Sequence, residues 1–321
     1  MLGELPGVVA LGEVVHLWQR DLRDGERCGC GEAFLACDFW HAVGEIAFGG
    51  WDHVDVDRVL RLQAAVERTR FVPRLARHRL ARHHRDQVTE YAEYYSRVYA
   101  AAARVTGATV VVDSSKHSAL AYCLRWARDV DLRVVHLVRD ARGVAYSWTK
   151  RVTRPEADGA AEMTRYSPGR SAWLWNAHNA AFALLRRRGV PVTRMRYEQV
   201  VADPVGAVRQ LGGFAGLDLA TTELDFLGAD HVAVGAGHSA AGNPMRFAVG
   251  RVPLRADDAW RSAFVPRQRR LVGAICAPLL LSYGYRLRAG AAFSSRSGTL
   301  CGDTPADTPA NSLINSEGGR R

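Results

Sequence analysis

Three short runs rich in β-branched residues, ATVVVD (Ala108 to Asp113), LRVVHLVR (Leu132 to Arg139) and VPVTRMRY (Val190 to Tyr197), are separated by stretches with helical periodicity. Near-continuous apolar strands that alternate with helices specify a parallel sheet, because a helical crossover is what returns the chain in the same direction. The expected class is α/β, with right-handed crossovers. Apolar positions at helical spacing predict helices through Val54 to Arg68 and Gln87 to Val105, and others at Gly143 to Arg151, Gly169 to Arg188, Pro204 to Phe214 and Pro266 to Leu281. The segments Arg154 to Pro168 and Gly228 to Pro253 read as loops.

The 321 residues are 48% hydrophobic and 24% charged, a globular balance that excludes a fibrous or wholly disordered chain. No run approaches the length of a membrane span, and the opening MLGELPGVVALGE has an early Glu and no basic start, unlike a secretory signal. The expectation is a soluble cytoplasmic protein with one domain over residues 1–288. After it the composition turns to Gly, Ser, Thr, Pro, Asp and Asn, which predicts a disordered polar tail over 289–321. The net charge of +10 calls for an anionic partner such as nucleic acid, a phosphorylated cofactor or an acidic surface. Lys occurs only at Lys116 and Lys150 and every other basic residue is Arg, so a retained Lys points to a need for its compact ammonium.

In open parallel sheets, ligands sit beyond the carboxyl ends of the strands. Here those ends read Asp113-Ser114-Ser115-Lys116, Arg139-Asp140-Ala141-Arg142-Gly143 and Arg196-Tyr197-Glu198. Hydroxyls, cations and a helix start on one edge describe an anion site. Gly143, Ser147 and Arg151 are four residues apart and line one face of the second crossover helix, just after Arg139. That row suits a phosphate. The competing reading is a surface pair of Arg139 with Asp140 and an incidental Ser147.

LVRDARGVAYSWTKR (Leu137 to Arg151) resembles the 3′-phosphate-binding segment of the sulfotransferases that use 3′-phosphoadenosine 5′-phosphosulfate (PAPS), with Arg139 and Ser147 at the family's eight-residue separation and Arg151 where the tyrosylprotein branch carries another Arg. RYEQVVADP (Arg196 to Pro204) resembles the family's strand-end Tyr-Glu segment, which assigns Tyr197 to the nucleotide, and DSSK places Lys116 near the transferring group. ELPGVVALGE (Glu4 to Glu13) is similar to a segment of the Golgi carbohydrate and tyrosylprotein enzymes in which a Glu seven residues after a Pro is the general base; Pro6 and Glu13 keep that spacing. HSAAGNPMRF (His238 to Phe247) resembles a loop that closes over the nucleotide, implying Ser239, Gly242, Asn243 and Arg246 as cofactor contacts.

The resemblance implies a P-loop-like three-layer fold, a parallel sheet flanked by helices, and transfer of a sulfuryl group from PAPS to a hydroxyl or amine, leaving 3′,5′-adenosine bisphosphate. Glu13 would take the acceptor proton and Lys116 would stabilise the leaving oxygen, with no metal in the reaction. His117 is the runner-up base. Acceptor identity, whether carbohydrate, lipid, peptide or natural product, and oligomeric state are not legible. The family's first strand and its Gly-x-Arg-Ser-Gly-Thr-Thr loop, which cradles the 5′-phosphosulfate, would fall before Met1; the expectation is a misplaced start or a truncation, with the 321-residue form weak or inactive. FSSRSGTL (Phe293 to Leu300) looks like such a loop but lacks a following helix.

Cys28, Cys30 and Cys37 with His41 offer a zinc set in non-standard spacing, and the expectation is a metal-free turn of reduced thiols. The Arg-rich run Glu67 to Asp86 reads as a basic helical stretch that either grips an anion or is a solvated face. Trp173 and Trp175 fall in one predicted helix, lining an acceptor cleft or packing in the core. Two other functional readings stand beside the sulfotransferase: a nucleotide-dependent phosphotransferase, disfavoured because no Gly-x-x-x-x-Gly-Lys-Ser/Thr run is present, and a non-catalytic basic nucleotide- or nucleic-acid-binding protein.

Overall fold

A computed structural model describes residues 1–151, 164–219, 224–228, 230–242 and 244–287, all within the unit Met1–Leu287. The expected loop at Arg154 to Pro168 falls mostly outside these residues, as do Asn243, the tail and its FSSRSGTL segment.

The chain opens with strand β1 (Val8–Gly12) and a helical turn at Leu17–Arg23, then helices α1 (Asp38–Phe48), α2 (Val56–Val66), the single turn α3 (Val72–Leu75) and the long α4 (Arg82–Thr106). The alternating part follows: β2 (Val110–Asp113), α5 (Ser118–Leu124), β3 (Val134–Val138), α6 (Ala141–Thr149), α7 (Pro168–Arg186) and β4 (Val192–Arg196). Helices α8 (Tyr197–Ala202) and α9 (Pro204–Ala215), strands β5 (His231–Val234) and β6 (Gly250–Pro253), and helices α10 (Trp260–Ala263), α11 (Pro266–Ile275) and α12 (Ala277–Ser282) complete the described fold.

All three expected strands form, and each is parallel to its partner. They do not make one sheet. β2 pairs backward with β1, Val8 opposite Val110, while β3 pairs with β4, Val134 opposite Val192, and no ladder joins the two pairs among the described residues. β3 shows why its sequence looked continuously apolar. Val134, His136 and Val138 are buried, whereas Val135 is 38% and Leu137 52% exposed, so its second face is apolar but uncovered.

The largest core lies where α4 meets α1 and α2. Val88, Tyr91, Tyr95, Val98 and Ala102 recur at three- and four-residue steps, so they fall on one stripe of α4. Trp18 sits edge-on to Tyr95, and Tyr91 and Tyr95 hydrogen-bond through their hydroxyls at 2.8 Å, which satisfies polar atoms inside an apolar contact. A second core gathers Val138, Ala145, Trp175, Trp260 and Leu280 around the face of α6 and α7. Trp175 is thus a core residue, its indole donating to the Arg139 carbonyl at 3.0 Å, whereas Trp173 is exposed.

Three expectations are corrected. The Gly- and Ala-rich stretch read as loop contains an antiparallel pair, His231 opposite Pro253 and Val234 opposite Gly250; its small residues hid the short β-branched runs. The helix predicted through Pro266 to Leu281 is broken at Cys276, because Pro278 lacks the backbone donor needed to continue a helix through it. The Arg-rich run is not one basic helix: it divides into a turn at Thr69–Phe71, α3 and the start of α4, with the Arg70 and Arg74 guanidinia over the Phe71 ring at 4.9 and 4.7 Å. No described helix is long and apolar enough to cross a membrane.

β1 ends where a second segment docks. Gly12 has φ +79 and forms a parallel bridge to Ala240, whose backbone N–H donates to the Leu11 carbonyl at 2.8 Å. A Cβ at Gly12 would collide with the Ala240 carbonyl, a backbone atom that cannot turn aside. Gly12→Ala is therefore expected to lower unfolding stability by roughly 1–3 kcal/mol in urea titration, from the positive φ and the collision together. An unchanged midpoint would show that the 238–242 segment does not rest on β1.

Candidate active site

The carboxyl end of β2 is tied into a knot around one half-buried carboxylate. Asp113 accepts from the Tyr99 hydroxyl at 2.6 Å, from the Ser115 backbone N–H at 2.8 Å, and from the Ser115 hydroxyl. Burial pushes its carboxyl above the usual range, and the Ser115 and Tyr99 hydrogen bonds oppose that shift. The Ser115 hydroxyl oxygen in turn accepts from the Val15 backbone N–H at 2.9 Å, which fixes the turn after β1 to the turn after β2. The chain leaves this knot through Lys116, the single described non-glycine residue with positive φ, at +62. Such a conformation is costly for a side chain and persists where its surroundings hold it.

That backbone turn projects Lys116 onto Glu13: the ammonium and the Glu13 carboxylate form an ion pair. The two proposed catalytic residues, separated by 103 positions, are thus in contact. Lys116 is largely exposed and Glu13 mostly covered. Gly242 packs against the covered side; a Cβ there would stand 3.5 Å from Glu13 Oε1.

Two histidines that the sequence left aside or ranked second, His16 and His117, stand beside this pair, and His178 lies behind His117. His16 Nε2 lies 3.6 Å from Glu13, and its ring meets that of His117 edge-on at 5.5 Å. Burial, then the neighbouring His117, lowers His16 to about 4, so it is neutral near pH 7 and leaves Glu13 to Lys116. His117 goes the other way. Burial would lower it, but the Glu67 carboxylate at 3.0 Å, with further help from Glu13 and Asp113, raises it above the ordinary value. His178 accepts from or donates to the Ser118 hydroxyl at 3.0 Å and is lowered by burial and by His117. His117 is therefore paired with a buried acid through one ring nitrogen.

The second half of the site is built on β3 and α6. Asp140 caps α6, its carboxylate accepting from the Arg142 N–H at 2.9 Å and from the Arg142 guanidinium in a two-pronged contact of 2.9 and 2.6 Å. Both side chains are buried, so this pair is structural. Arg139 is left to face outward. Its guanidinium lies over the Tyr197 ring at 4.8 Å and donates to the Asp257 carboxylate and carbonyl, both at 3.0 Å. Lys150 approaches the same carboxylate at 3.9 Å. The Arg139 hydrogen bond, aided by Lys150, holds Asp257 below the usual carboxylate range.

Gly143 lets the Arg139 side chain run along α6: a Cβ there would be 3.5 Å from Arg139 Nε and 3.0 Å from the Trp260 indole. Ser147 is exposed one turn further along, and Arg151 is exposed just past the helix end. Tyr197 is held by its hydroxyl to the Arg255 carbonyl at 3.3 Å. The competing reading that paired Arg139 with Asp140 does not hold; each has a different partner.

The 238–247 segment divides. Ser239 and Gly242 lie along β1 beside Glu13, with the Glu13 N–H donating to the Ala241 carbonyl at 3.4 Å. Arg246 is placed elsewhere: its side chain is only 5% exposed and stands 3.9 Å from Glu26, which also pairs with Arg20 at 2.6 Å. It anchors the segment from inside. Asp257, Glu67 and His16 were missed by the sequence reading, since none has a motif. Lys150 had a signal, because it is one of two lysines in an Arg-biased chain.

No curated protein sequence matches the chain. Among solved structures, the sulfotransferase domain from the Synechococcus PCC 7002 olefin synthase is similar at 15% identity, with 85% of this chain and 95% of that one covered and a TM-score of 0.40. The model of the sulfotransferase family matches residues 50–221, more than half of the chain, a span that contains Lys116, Arg139, Ser147, Arg151 and Tyr197. The chain belongs to the sulfotransferase family.

Proposed function

We propose that this sulfotransferase takes its sulfuryl group from PAPS and passes it to a hydroxyl, or an amine, of an acceptor, with Glu13 as general base. The observation that carries this reading is the anion seat on Arg139. A guanidinium stacked on Tyr197, bonded to a carboxylate and seconded by Lys150 is a donor set that already takes an oxyanion, and the 3′-phosphate of the donor has the matching chemistry. Arg139, Ser147 and Arg151 would hold that phosphate, with the Tyr197 ring beside them. Ser239 and Gly242 would line the nucleotide from the other side, with Arg246, 3.9 Å from Glu26, holding their segment. When bound, the donor supplies an electrophilic sulfuryl group on a phosphate leaving group.

The residues of the chain then divide the work. Lys116 keeps Glu13 paired while the site is at rest. As its ammonium turns toward the leaving oxygen, Glu13 Oε1 is freed to accept the acceptor's hydroxyl proton. The strained backbone at Lys116 and the Asp113 knot hold the ammonium at that branch point. A soluble cytoplasmic setting and a hydroxyl-bearing carbohydrate, lipid, peptide or natural product as acceptor remain part of the same proposal.

Calorimetric titration with 3′,5′-adenosine bisphosphate in metal-free buffer tests the seat. Arg139→Ala is expected to weaken binding roughly 10- to 100-fold, the loss of one charge-assisted contact. Asp257→Ala is expected to tighten it, because the competing carboxylate is gone. If both variants bind as wild type does, the 3′-phosphate sits elsewhere.

Transfer from radiolabelled donor separates the two bases. Glu13→Gln should cut the rate about 100-fold or more while leaving bisphosphate affinity unchanged. His117→Gln should retain transfer but lower the melting temperature more at about pH 5.5 than at about pH 9, by about 2–4 °C. The sign follows from the raised value of His117: its pairing with Glu67 stabilises fully below the ordinary histidine range and is lost as pH rises through the folded value. Abolished transfer in His117→Gln with Glu13→Gln active would move the base to His117.

A further inference from the structure

The chain brings three thiols and one imidazole to a single point from opposite ends of the sequence. Cys28, Cys30 and Cys37 meet His238, and the four ligating atoms all lie within 4.8 Å of one another. His41, the histidine closest in sequence, is not among them; it is exposed on α1 and only its backbone N–H reaches Cys37. Cys28 and Cys37 are fully buried, Cys30 is half-buried, and none is in a disulfide.

The spacings are those of a tetrahedron. Zinc bonds of about 2.3 Å to sulfur and about 2.0 Å to nitrogen put neighbouring sulfurs about 3.8 Å apart and sulfur and nitrogen about 3.5 Å apart. Here Cys30 Sγ to Cys37 Sγ is 3.7 Å, Cys37 Sγ to His238 Nδ1 is 3.2 Å, and Cys28 Sγ to His238 Nδ1 is 3.9 Å. The supporting backbone has the same purpose. Cys28 to Glu32 forms a tight turn through hydrogen bonds of 2.8 and 2.9 Å, with Gly31 at φ +98. A Cβ on Gly29 would stand 2.8 Å from the Gly237 carbonyl, so glycine is what allows the two loops to meet. His238 is oriented by a parallel stack on Phe39 at 5.0 Å, and its carbonyl accepts from the Trp40 indole at 2.9 Å, which leaves Nδ1 facing the thiols.

We infer that Cys28, Cys30, Cys37 and His238 bind one zinc ion, and that this ion fastens the 238–242 segment beside Glu13. Three thiolates and one imidazole select a soft, tetrahedral metal, and four protein ligands leave no open position, so the ion is structural. The mechanical link is short. From His238 the chain passes through Ala240, bridged to Gly12, to Ala241, bonded to the Glu13 N–H, and to Gly242 against the Glu13 side chain. Binding replaces thiol protons by the metal, so three protons are given up to solvent as the site fills.

Elemental analysis of the protein purified from zinc-supplemented culture tests the site without reference to transfer activity. One zinc per chain is expected, lost in Cys30→Ser and in His238→Gln and retained in His41→Asn. Where a ligand variant does not fold, wild-type protein is stripped with a chelator and titrated with Co(II), which should give the visible absorption of tetrahedral thiolate coordination. Stripping should also speed amide hydrogen exchange over 239–242. Protein that folds without zinc and takes up no Co(II) would overturn the site. Zinc that survives Cys30→Ser and His238→Gln would place it elsewhere, and exchange unchanged by stripping would overturn its role beside Glu13.

Discussion

The site depends on one half-buried carboxylate. Asp113, at the end of β2, is stabilised there by Tyr99 and Ser115, which donate to it, while Ser115 also receives the Val15 N–H. This fixes two strand ends against each other and forces the following residue into the left-handed region. Glycine would occupy that conformation more cheaply; the chain has a lysine there, one of only two. That turn sets Lys116 against Glu13, more than a hundred residues away in sequence.

The basic excess of the chain is not spread evenly in its effects. Arg142 is consumed in a buried pair with Asp140, Arg20 with Glu26, and Arg70 and Arg74 lie over Phe71. Arg139 differs, because its partner Asp257 comes from a segment that follows β6 and is itself partly exposed. An arginine whose carboxylate partner can withdraw is a binding group, and one whose partner caps its own helix is a structural one. On the proposed reading, Arg139, just before α6, and Arg142, in its first turn, therefore have opposite roles.

The three strands β2, β3 and β4 and most helices were legible in the sequence, because period, β-branching and turn residues are local signals. So was the row from Gly143 to Ser147, since helical spacing alone sets it. What escaped was long-range. Nothing local says that β2 pairs backward with β1, that Glu67 claims His117, that Asp257 reaches Arg139, or that His238 and not His41 joins the thiols. The β5–β6 pair was missed for a local reason, as Gly and Ala around it outweighed its short apolar runs. Arg246 sat in a motif-like loop yet turned inward to Glu26, because a spacing fixes position along the chain and not the side a residue faces.

The most direct measurement of the central claim, that Arg139 is the seat of the donor's 3′-phosphate, is a crystal structure with 3′,5′-adenosine bisphosphate bound. The account predicts the 3′-phosphate on the Arg139 guanidinium and the Ser147 hydroxyl, with the Asp257 carboxylate withdrawn and the Tyr197 ring beside the nucleotide. A nucleotide bound elsewhere, with the Arg139–Asp257 pair intact, would contradict it.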